Sequence, residues 1–379
     1  MTNRAGEFVM QPSGYKSFVP HRLPPDPPID FDVEILRFLS EADRKLGRLD
    51  GITQILPNPE LFVAMYVQKE AVLSSQIEGT QASLTDVLEI SAKDEIREDI
   101  GEVVNYVNAM QYGLERLKEF PLCLRLIREI HEKLLNKGRG SNRNPGEFRK
   151  TQNWIGPAGC TLQEARFVPP TVPDMEKSLE ELELFFYEDD LIPPLIKIAL
   201  IHAQFESIHP FLDGNGRMGR LLITFWLCQQ GILSQPLLYL SYYFKKNRLE
   251  YYDRLMSVRE KGDWEGWIKF FLKGVSVTAD EATGTAKEII KLKAKYEEVI
   301  VKNGYTVTYS SLLEELFRHP IVSKKMVTDL LGFSYPTCSK IVDDFCGIEI
   351  LSDITPNQRR NKKYAFSTYL ALLNRGTEL

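Results

Sequence analysis

The sequence predicts a mainly α-helical protein with more than one domain, and three observations lead to that prediction. Apolar residues recur at helical spacing through most of the 379-residue chain. One segment, residues 138–170, is instead rich in Gly, Asn and Pro, and we expect it to form an exposed β-hairpin or flap. Beyond about residue 300 the pattern changes to short helices followed by short strands. The length fits two or three structural units.

Proline and glycine positions mark where the predicted helices begin and end. The proline-rich stretch 20–28 should run extended, whereas Pro59 suits a first helical turn and Gly79 suits a stop. The predicted helices are Asp32–Leu46, Pro59–Ile77, Gly101–Phe120, Cys123–Leu135, Met175–Tyr187, Pro193–Phe205 and a segment that begins at Asn215. We place domains at 1–110 (an N-terminal helical region), 111–280 (a central core), 281–299 (a charged helical linker) and 300–379.

The C-terminal region follows the order of a winged-helix domain. Two short helices, Ser323–Leu331 and Tyr335–Phe345, precede two strand-like runs that flank the basic turn 357–363. That turn could rest against DNA phosphates, but Asp343 and Asp344 on the second helix oppose phosphate. Residues 300–379 hold ten basic and eight acidic side chains, so DNA binding and protein contact are about equally favoured.

Composition excludes several classes of protein. The chain is 43% hydrophobic and 26% charged with a formal charge of −5, which gives no general attraction to nucleic acid or anionic membranes. Five scattered cysteines lack the spacing of a zinc site or a disulfide framework. We find no signal peptide and no membrane span, and we expect a soluble, cytoplasmic protein.

The segment His209–Arg220, HPFLDGNGRMGR, carries the chemistry. Gly214 and Gly216 flank Asn215 where a helix is predicted to begin, so backbone N–H groups and the positive end of the helix dipole can bind phosphate. Arg217 and Arg220 lie three residues apart on one helix face, and guanidinium groups bind phosphate oxygens in pairs. The segment therefore predicts a phosphate site.

Two further side chains of this segment suit phosphate chemistry. Asp213 could hold Mg²⁺ between phosphates, because that cation prefers carboxylate and phosphate oxygens. His209 titrates near neutrality, which suits a general base. A P-loop is not indicated, since it would need a Lys followed by Ser or Thr.

This segment resembles the Fic-family signature H-P-F-x-D-G-N-G-R-x-G-R at every specified position, and the resemblance extends to GYKSFVPHRLPP, EADRKLGRLDG, RKTQNWIGPAG and GDWEGWIKFFLKGV. It implies a helical Fic core with a flap that aligns the target, and transfer of AMP from ATP to a Ser, Thr or Tyr hydroxyl of a protein. By that precedent His209 deprotonates the hydroxyl, Asp213 binds Mg²⁺, and Gly214, Asn215, Gly216, Arg217 and Arg220 hold the phosphates. Relatives that act as kinases carry Lys in place of Gly216, so AMP transfer is favoured.

A second motif, SSQIEGT at Ser74–Thr80, resembles the Fic inhibitory motif. Ser74 and Glu78 lie four residues apart on one helix face, and Glu78 is unfavourably placed near a helix C-terminus unless it meets a cation. The resemblance implies that Glu78 pairs with Arg220 and keeps the γ-phosphate from its productive position. In some relatives the same glutamate orients water to remove AMP, so that alternative stays open.

Other aromatic and charged residues have weaker assignments. Tyr251 and Tyr252 match the region that contacts the nucleobase in relatives, with Arg259 a few turns on, but aromatics at helical spacing are as often core. His202 is more typical of a hydrogen-bonded core histidine, and Arg149 and Lys150 in the flap could be solvated charges.

Two functions of different classes therefore remain. The first is a Mg²⁺-dependent protein adenylyltransferase that is restrained by Glu78 and whose targets could include itself. The second is a regulator in which a nucleotide-sensing Fic core controls DNA binding by the winged helix. Relatives commonly pair through the Fic core, so the resemblance also implies a possible homodimer.

Overall fold

We describe the fold from a computed structural model of the chain. It describes residues 3–54, 56, 59–88, 97–136, 138, 140–157, 159–188 and 191–375. The helices are α1 Val33–Gln54, α2 Pro59–Ile77, α3 Leu84–Leu88, α4 Glu98–Arg116, α5 Leu124–Leu134, α6 Val172–Tyr187, α7 Pro194–Ile208, α8 Asn215–Gln229, α9 Ser241–Lys246, α10 Arg248–Lys261, α11 Trp264–Lys302, α12 Val307–Arg318, α13 Lys324–Leu331, α14 Tyr335–Gly347 and α15 Ser367–Asn374. The strands are β1 Gly6–Met10, β2 Lys16–Pro20, β3 Ile321–Ser323, β4 Ser352–Asp353 and β5 Lys363–Ala365. The prediction of a mainly helical protein is confirmed.

Helix α7 is the centre of the bundle. Every residue from Leu195 to Ile208 is buried, which is expected of a helix that is apolar on all sides. Helix α8 packs directly against α7, while α4 and α5 pack against each other and against α8. This arrangement fixes the ends of α7 and α8, which carry the conspicuous sequence motif, between neighbouring helices.

Regular strand pairing occurs at the N-terminus and only sparsely in the expected flap. Strands β1 and β2 form an antiparallel hairpin in which Gly6 faces Pro20. Within 138–170, the described residues form one antiparallel bridge, Ile155 to Phe167, and a 3₁₀ turn at Leu162–Glu164. The two features meet, because the backbone N–H of Phe18 donates to the carbonyl of Val168 at 2.9 Å.

Helix α11 does not lead away from the bundle as the predicted linker would. It runs without a break from Trp264 to Lys302 and packs along α1, with buried side chains as far as Ile300. An apolar stripe that continues into the charged segment explains this, since Ala282, Ala286 and Ile289 face the core. The domain boundaries themselves stay a prediction.

The C-terminal region contains α12 to α14, a three-stranded antiparallel sheet in the order β3-β5-β4, and α15. This matches the predicted element order, and assignment to the winged-helix class stays a prediction. The acidic pair on α14 is engaged internally: Asp343 binds Nζ of Lys324 at 2.7 Å, and Asp344 accepts a 2.6 Å hydrogen bond from the hydroxyl of Tyr309. DNA binding by this region also stays a prediction.

Candidate active site

The loop between α7 and α8 begins and ends with left-handed backbone. His209 caps the C-terminus of α7 with φ of 49°, and Gly214 caps the N-terminus of α8 with φ of 78°. Glycine adopts that conformation without strain, whereas histidine does so at a cost of about 1 kcal/mol or more. The strain at His209 must therefore be offset by the contacts that hold the loop.

Asparagine side chains hold this loop through its backbone. Asn215 closes a ring with Phe211, because its Oδ1 accepts from the Phe211 N–H and its Nδ2 donates to the Phe211 carbonyl, both at 2.8 Å. Asn153 of the flap donates to the carbonyls of His209 and Phe211 at 3.2 and 2.9 Å. Asn215, predicted as a phosphate ligand, thus has its side chain committed to loop geometry and offers its backbone to an anion.

His131 on α5 supports the same loop from the other side. Its ring stacks on Phe211 with centroids 3.6 Å apart. Nδ1 accepts from the N–H of Gly146, so Nε2 carries the proton that is donated to the carbonyl of Asp213 at 2.9 Å. Burial lowers the pKa of His131 to about 4, so the ring is neutral at physiological pH. Sequence reasoning missed this residue.

His209 is a partly buried, neutral imidazole. Burial, together with the nearby cations Arg259 and Arg149, lowers the pKa of His209 to about 3. Its Nδ1 has no hydrogen-bond partner among the described residues. A neutral ring with a free nitrogen can accept a proton at physiological pH.

Two buried arginines fix the C-terminus of α7. Arg149 donates to the carbonyls of His209, Thr151 and Pro170 at 3.1, 3.3 and 2.6 Å. Arg259 donates to the Glu206 carbonyl at 2.9 Å and to Oγ of Ser207 at 3.1 Å. The interpretation of Arg149 as a solvated charge is therefore wrong, because its guanidinium bridges the helix end and both ends of the flap. Lys150 is exposed and pairs with Glu147.

The N-terminus of α8 and Arg217 form an anion cradle. Asn215 and Gly216 present the first backbone N–H groups of the 15-residue helix, whereas the N–H of the capping residue Gly214 is bonded to Asp213. Arg217 is only 2% exposed, yet its Nε and Nη1 have no hydrogen-bond partner among the described residues. The carboxylates of Asp213 and Glu102 each lie 3.6 Å from the guanidinium, which offsets its charge without using these donors. Unpaired buried donors of this kind need a ligand.

Asp213 suits a magnesium ion that is shared with phosphates. Its Oδ1 accepts from the N–H of Gly214 at 2.6 Å, and its side chain stays 27% exposed at the mouth of the cradle. Among the described ranges, no cluster of three or more His, Cys, Asp or Glu residues could form an all-protein metal site. A single carboxylate beside a phosphate site matches the usual binding of Mg²⁺.

Arg220 is held by the second motif. Its Nε donates to Oγ of Ser74 at 2.8 Å, and its Nη2 donates to the Ser74 carbonyl at 3.0 Å and to Oε1 of Glu78 at 2.7 Å. Burial raises the pKa of Glu78, but the Arg220 charge and hydrogen bond outweigh that effect and hold the pKa below its usual value. The Glu78–Arg220 pair implied by the resemblance is present.

Glu78 also approaches the start of α8 closely. A Cβ atom at Gly216 would collide with Oε1 of Glu78, so only glycine leaves room for that carboxylate. The glutamate therefore covers the cradle where an anion would meet Arg220 and the helix N-terminus.

The two tyrosines differ in their placement. Tyr251 is 1% exposed, and its hydroxyl bonds Nε2 of His202 at 2.9 Å, so it offers no surface to a nucleobase in this conformation. Its role in nucleotide binding stays a prediction. His202 also bonds the Gly219 carbonyl through Nδ1, as expected of a core histidine. Tyr252 is partly buried beside Tyr251, and its role in nucleotide binding stays a prediction.

Two buried carboxylates at the site were also missed. Glu102 on α4 accepts from Oγ1 of Thr80 at 2.8 Å and faces Arg217. Glu206 lies one turn before His209, and burial raises its pKa to about 7. Neither lies in a recognisable motif, so only the packing of α4 and α7 against α8 reveals them.

Comparison with protein families gives two matches that together span the site. A Fic/DOC family N-terminal model matches residues 36–115, which include α2 with Ser74 and extend through Glu78. A Fic/DOC family model matches residues 121–227, which include the flap, the loop and most of α8.

Curated relatives share part of this region. A protein adenylyltransferase Fic from Culex quinquefasciatus is 29% identical over 231 residues, which is 56% of this chain and 42% of that protein. Another from Drosophila grimshawi is 28% identical over 182 residues, 47% of this chain and 34% of that protein. The chain thus spans less than half the length of these relatives.

Solved structures establish the fold. A Fic family protein from Desulfovibrio desulfuricans G20 superposes with a TM-score of 0.56 at 20% identity. That superposition covers 89% of this chain and 97% of the Desulfovibrio chain. A Fic-domain-containing signaling protein from Bacteroides thetaiotaomicron gives a TM-score of 0.51 at 19% identity. That superposition covers 67% of this chain and 97% of the Bacteroides chain. The chain therefore carries a Fic/DOC family N-terminal domain at residues 36–115 and a Fic/DOC family domain at residues 121–227, and it shares its fold with the solved Fic-family structures.

Proposed function

We propose that this protein transfers AMP from ATP to a Ser, Thr or Tyr hydroxyl of a protein target, itself included, and that Glu78 restrains the reaction. The observation that carries the proposal is the buried cradle beside a neutral imidazole. Arg217 keeps two donors unpaired at the N-terminus of α8, and His209 stands at the other end of the same loop. The names of the curated relatives support the same activity.

The described groups supply the base and the phosphate ligands for this transfer. Neutral His209 accepts the proton of the target hydroxyl, whose oxygen then bonds the α-phosphorus of ATP. The bond between the α-phosphorus and its bridging oxygen breaks, and pyrophosphate leaves. Arg217, Arg220 and the N–H groups at the start of α8 hold the β- and γ-phosphates and stabilise the charge of the leaving group.

Asp213 is the residue that would hold Mg²⁺, together with phosphate oxygens. The bound ion would neutralise phosphate charge during the transfer. The chain's own contribution is to fix that carboxylate: Oδ1 accepts from the Gly214 N–H, and His131 holds the Asp213 carbonyl.

Glu78 restrains the reaction by occupying Arg220. The Nη2 of Arg220 donates to Glu78 and Ser74, and its Nε donates to Ser74. Few donors of this guanidinium therefore remain for a γ-phosphate. A charge-assisted pair of this kind contributes about 1.5 to 3 kcal/mol, enough to slow nucleotide alignment by tenfold or more.

The test is transfer of label from ATP carrying ³²P at the α-phosphate, with Mg²⁺ and with cell lysate as a source of targets. We expect faint labelling of protein by the wild type, at least tenfold more by Glu78→Gly, and none by Glu78→Gly combined with His209→Ala. ATP labelled at the γ-phosphate is the matched control and should add no label beyond that of lysate alone, whose kinases use that phosphate, because in AMP transfer the γ-phosphate leaves with pyrophosphate.

Two outcomes would argue against the proposal. If Glu78→Gly binds ATP yet labels no protein, the transferase activity fails and a nucleotide sensor is favoured. If the wild type instead releases AMP from protein that Glu78→Gly has labelled, and Glu78→Gly does not, then Glu78 acts in AMP removal.

A further inference from the structure

We infer that Thr80 is a positioning residue, which latches the Glu78 turn over Arg220 through a hydrogen bond to the buried carboxylate of Glu102. This inference rests on the proposed restraint by Glu78. It gives a role to the last residue of the second motif, to which the resemblance assigns none, and it adds a physical link between the inhibitory helix and the phosphate site.

Glu78 lies where its own helix does not support it. Helix α2 ends at Ile77, and the N–H of Glu78 bonds the Ser75 carbonyl at 3.0 Å in a final tight turn. Gly79 then reverses the chain with φ of 100°. The C-terminal end of a helix dipole repels a carboxylate, so this turn must be held in place by contacts from elsewhere.

Thr80 supplies such a contact from a protected position. Thr80 and Glu102 are each only 5% exposed, and Oγ1 of Thr80 donates to Oε2 of Glu102 at 2.8 Å. The bond crosses from the end of α2 to α4, which packs against both α2 and α8. A second tie comes from Gln76, which donates to the Ala82 carbonyl at 3.0 Å and accepts from Lys245.

The Glu102 carboxylate also faces the phosphate site. Its Oε2, the atom that accepts from Thr80, lies 3.6 Å from Nη1 of Arg217. One carboxylate oxygen thus holds the Glu78 turn and offsets the charge of a phosphate-binding arginine. A phosphate on Arg217 competes with Glu102 for that guanidinium, so occupation of the cradle and the grip on Thr80 are coupled.

The test compares Thr80→Val, which keeps the branched shape but removes the donor, with Thr80→Ser, which keeps the hydroxyl. We expect Thr80→Val to raise the initial rate of α-phosphate labelling about tenfold, the value of one hydrogen bond to a charged group. Thr80→Ser should stay within about twofold of the wild type. Amide hydrogen exchange at residues 78–80 should rise in Thr80→Val while α7 stays protected.

Combining Thr80→Val with Glu78→Gly distinguishes a specific effect on the Glu78 turn from a general loosening of the fold. Thr80→Val should add nothing to the rate of Glu78→Gly, because the group that it holds is gone. Suppose that Glu78→Gly labels protein strongly. The latch is then refuted, and the proposed function stands, if Thr80→Val labels at the wild-type rate or if it accelerates Glu78→Gly as much as it accelerates the wild type. If Glu78→Gly is itself inactive, the proposed function fails first. If Thr80→Val does not fold, Thr80→Ala replaces it, because the smaller side chain leaves room for a water molecule at Glu102. We expect the same rates for Thr80→Ala as for Thr80→Val.

Discussion

Two buried histidines and one partly buried histidine lie around the cradle, and their hydrogen-bond partners distinguish their roles. His131 and His202 use both ring nitrogens in hydrogen bonds, so they serve as fixed structural groups. His209 is only partly buried, and its Nδ1 has no hydrogen-bond partner among the described residues. Burial lowers the pKa of all three well below the usual value, so all are neutral at pH 7, and only His209 is free to accept a proton.

The low pKa of His209 predicts a rate that does not depend on imidazole protonation near neutrality. A pKa of about 3 leaves the ring neutral above about pH 5, and removing Glu78 takes away a charge that favours the protonated form. For Glu78→Gly combined with Glu206→Gln, which removes the neighbouring carboxyl whose pKa is about 7, we expect labelling rates that change less than about twofold between pH 8 and pH 5.5. A histidine with an ordinary pKa near 6.5 would lose about tenfold over that range. Initial rates in overlapping buffers at saturating Mg²⁺ and ATP decide between the two, and a midpoint near 6.5 would contradict the prediction.

At the residue scale, the sequence reveals local motifs better than it reveals the residues, distant in sequence, whose side chains hold those motifs in place. The residues of the loop, Glu78 and Ser74 could be predicted because their order alone carries the pattern. His131, Glu102 and Arg149 reach the loop only after α5, α4 and the flap have packed around it. Their types were visible in the sequence, but nothing local showed which backbone carbonyl or guanidinium each would meet.

At the scale of elements, two side chains of the flap, Arg149 and Asn153, join it to the end of α7. Arg149 at the start of the flap donates to the Pro170 carbonyl at its far end and to the His209 carbonyl at the end of α7. Its own N–H donates to the Pro210 carbonyl at 2.9 Å. This geometry fixes the flap, which is expected to align the target hydroxyl, relative to the base.

Arg149→Lys should therefore impair use of the target more than binding of nucleotide. A lysine keeps the charge but cannot reproduce the planar set of donors that reaches three carbonyls. We expect kcat/KM for the protein target to fall about tenfold, the effect of losing one buried hydrogen bond or two, while Kd for ATP changes less than about twofold. Labelling kinetics and calorimetric ATP titration in the Glu78→Gly background measure both quantities. Lys150→Gln, next along the chain and exposed, is the control and should behave as its parent; equal loss of ATP binding in Arg149→Lys would contradict this assignment.

Helix ends were predictable where backbone chemistry alone sets them. The bounds of α2 match the prediction, since Pro59 begins the helix and Gly79 reverses the chain after it, and α8 begins at Asn215 after left-handed Gly214. Helix α1 was predicted to end at Leu46 but extends to Gln54, because Leu49 and Thr53 continue its buried face along α11. That extension depends on a partner more than 200 residues away in sequence, which local periodicity does not report.

At the scale of the whole molecule, the C-terminal region shares one hydrophobic core with the helical bundle around α7 and α8. The buried side chains of α12 and α14 belong to the same continuous cluster as those of α7 and α8. Helix α11 contributes to both parts, and the final helix α15 packs against α11, α2 and α3. The same α2 carries Ser74 and ends just before Glu78. No helix in the described part of the chain is long and apolar enough to cross a membrane.

A shared core predicts one unfolding transition instead of separate transitions for a catalytic and a C-terminal domain. We expect scanning calorimetry to show a single cooperative peak, because separating the C-terminal region would expose the contacts of α15 and α11. Tyr369→Ala, at a buried ring of α15, should lower the free energy of unfolding by about 3 kcal/mol and move the whole peak. Val301→Ala, on a side chain that is 75% exposed, is the matched control and should stay within about 0.5 kcal/mol. Two resolved peaks, of which Tyr369→Ala shifts only one, would show instead that the C-terminal region is energetically independent of the helix that carries the restraint.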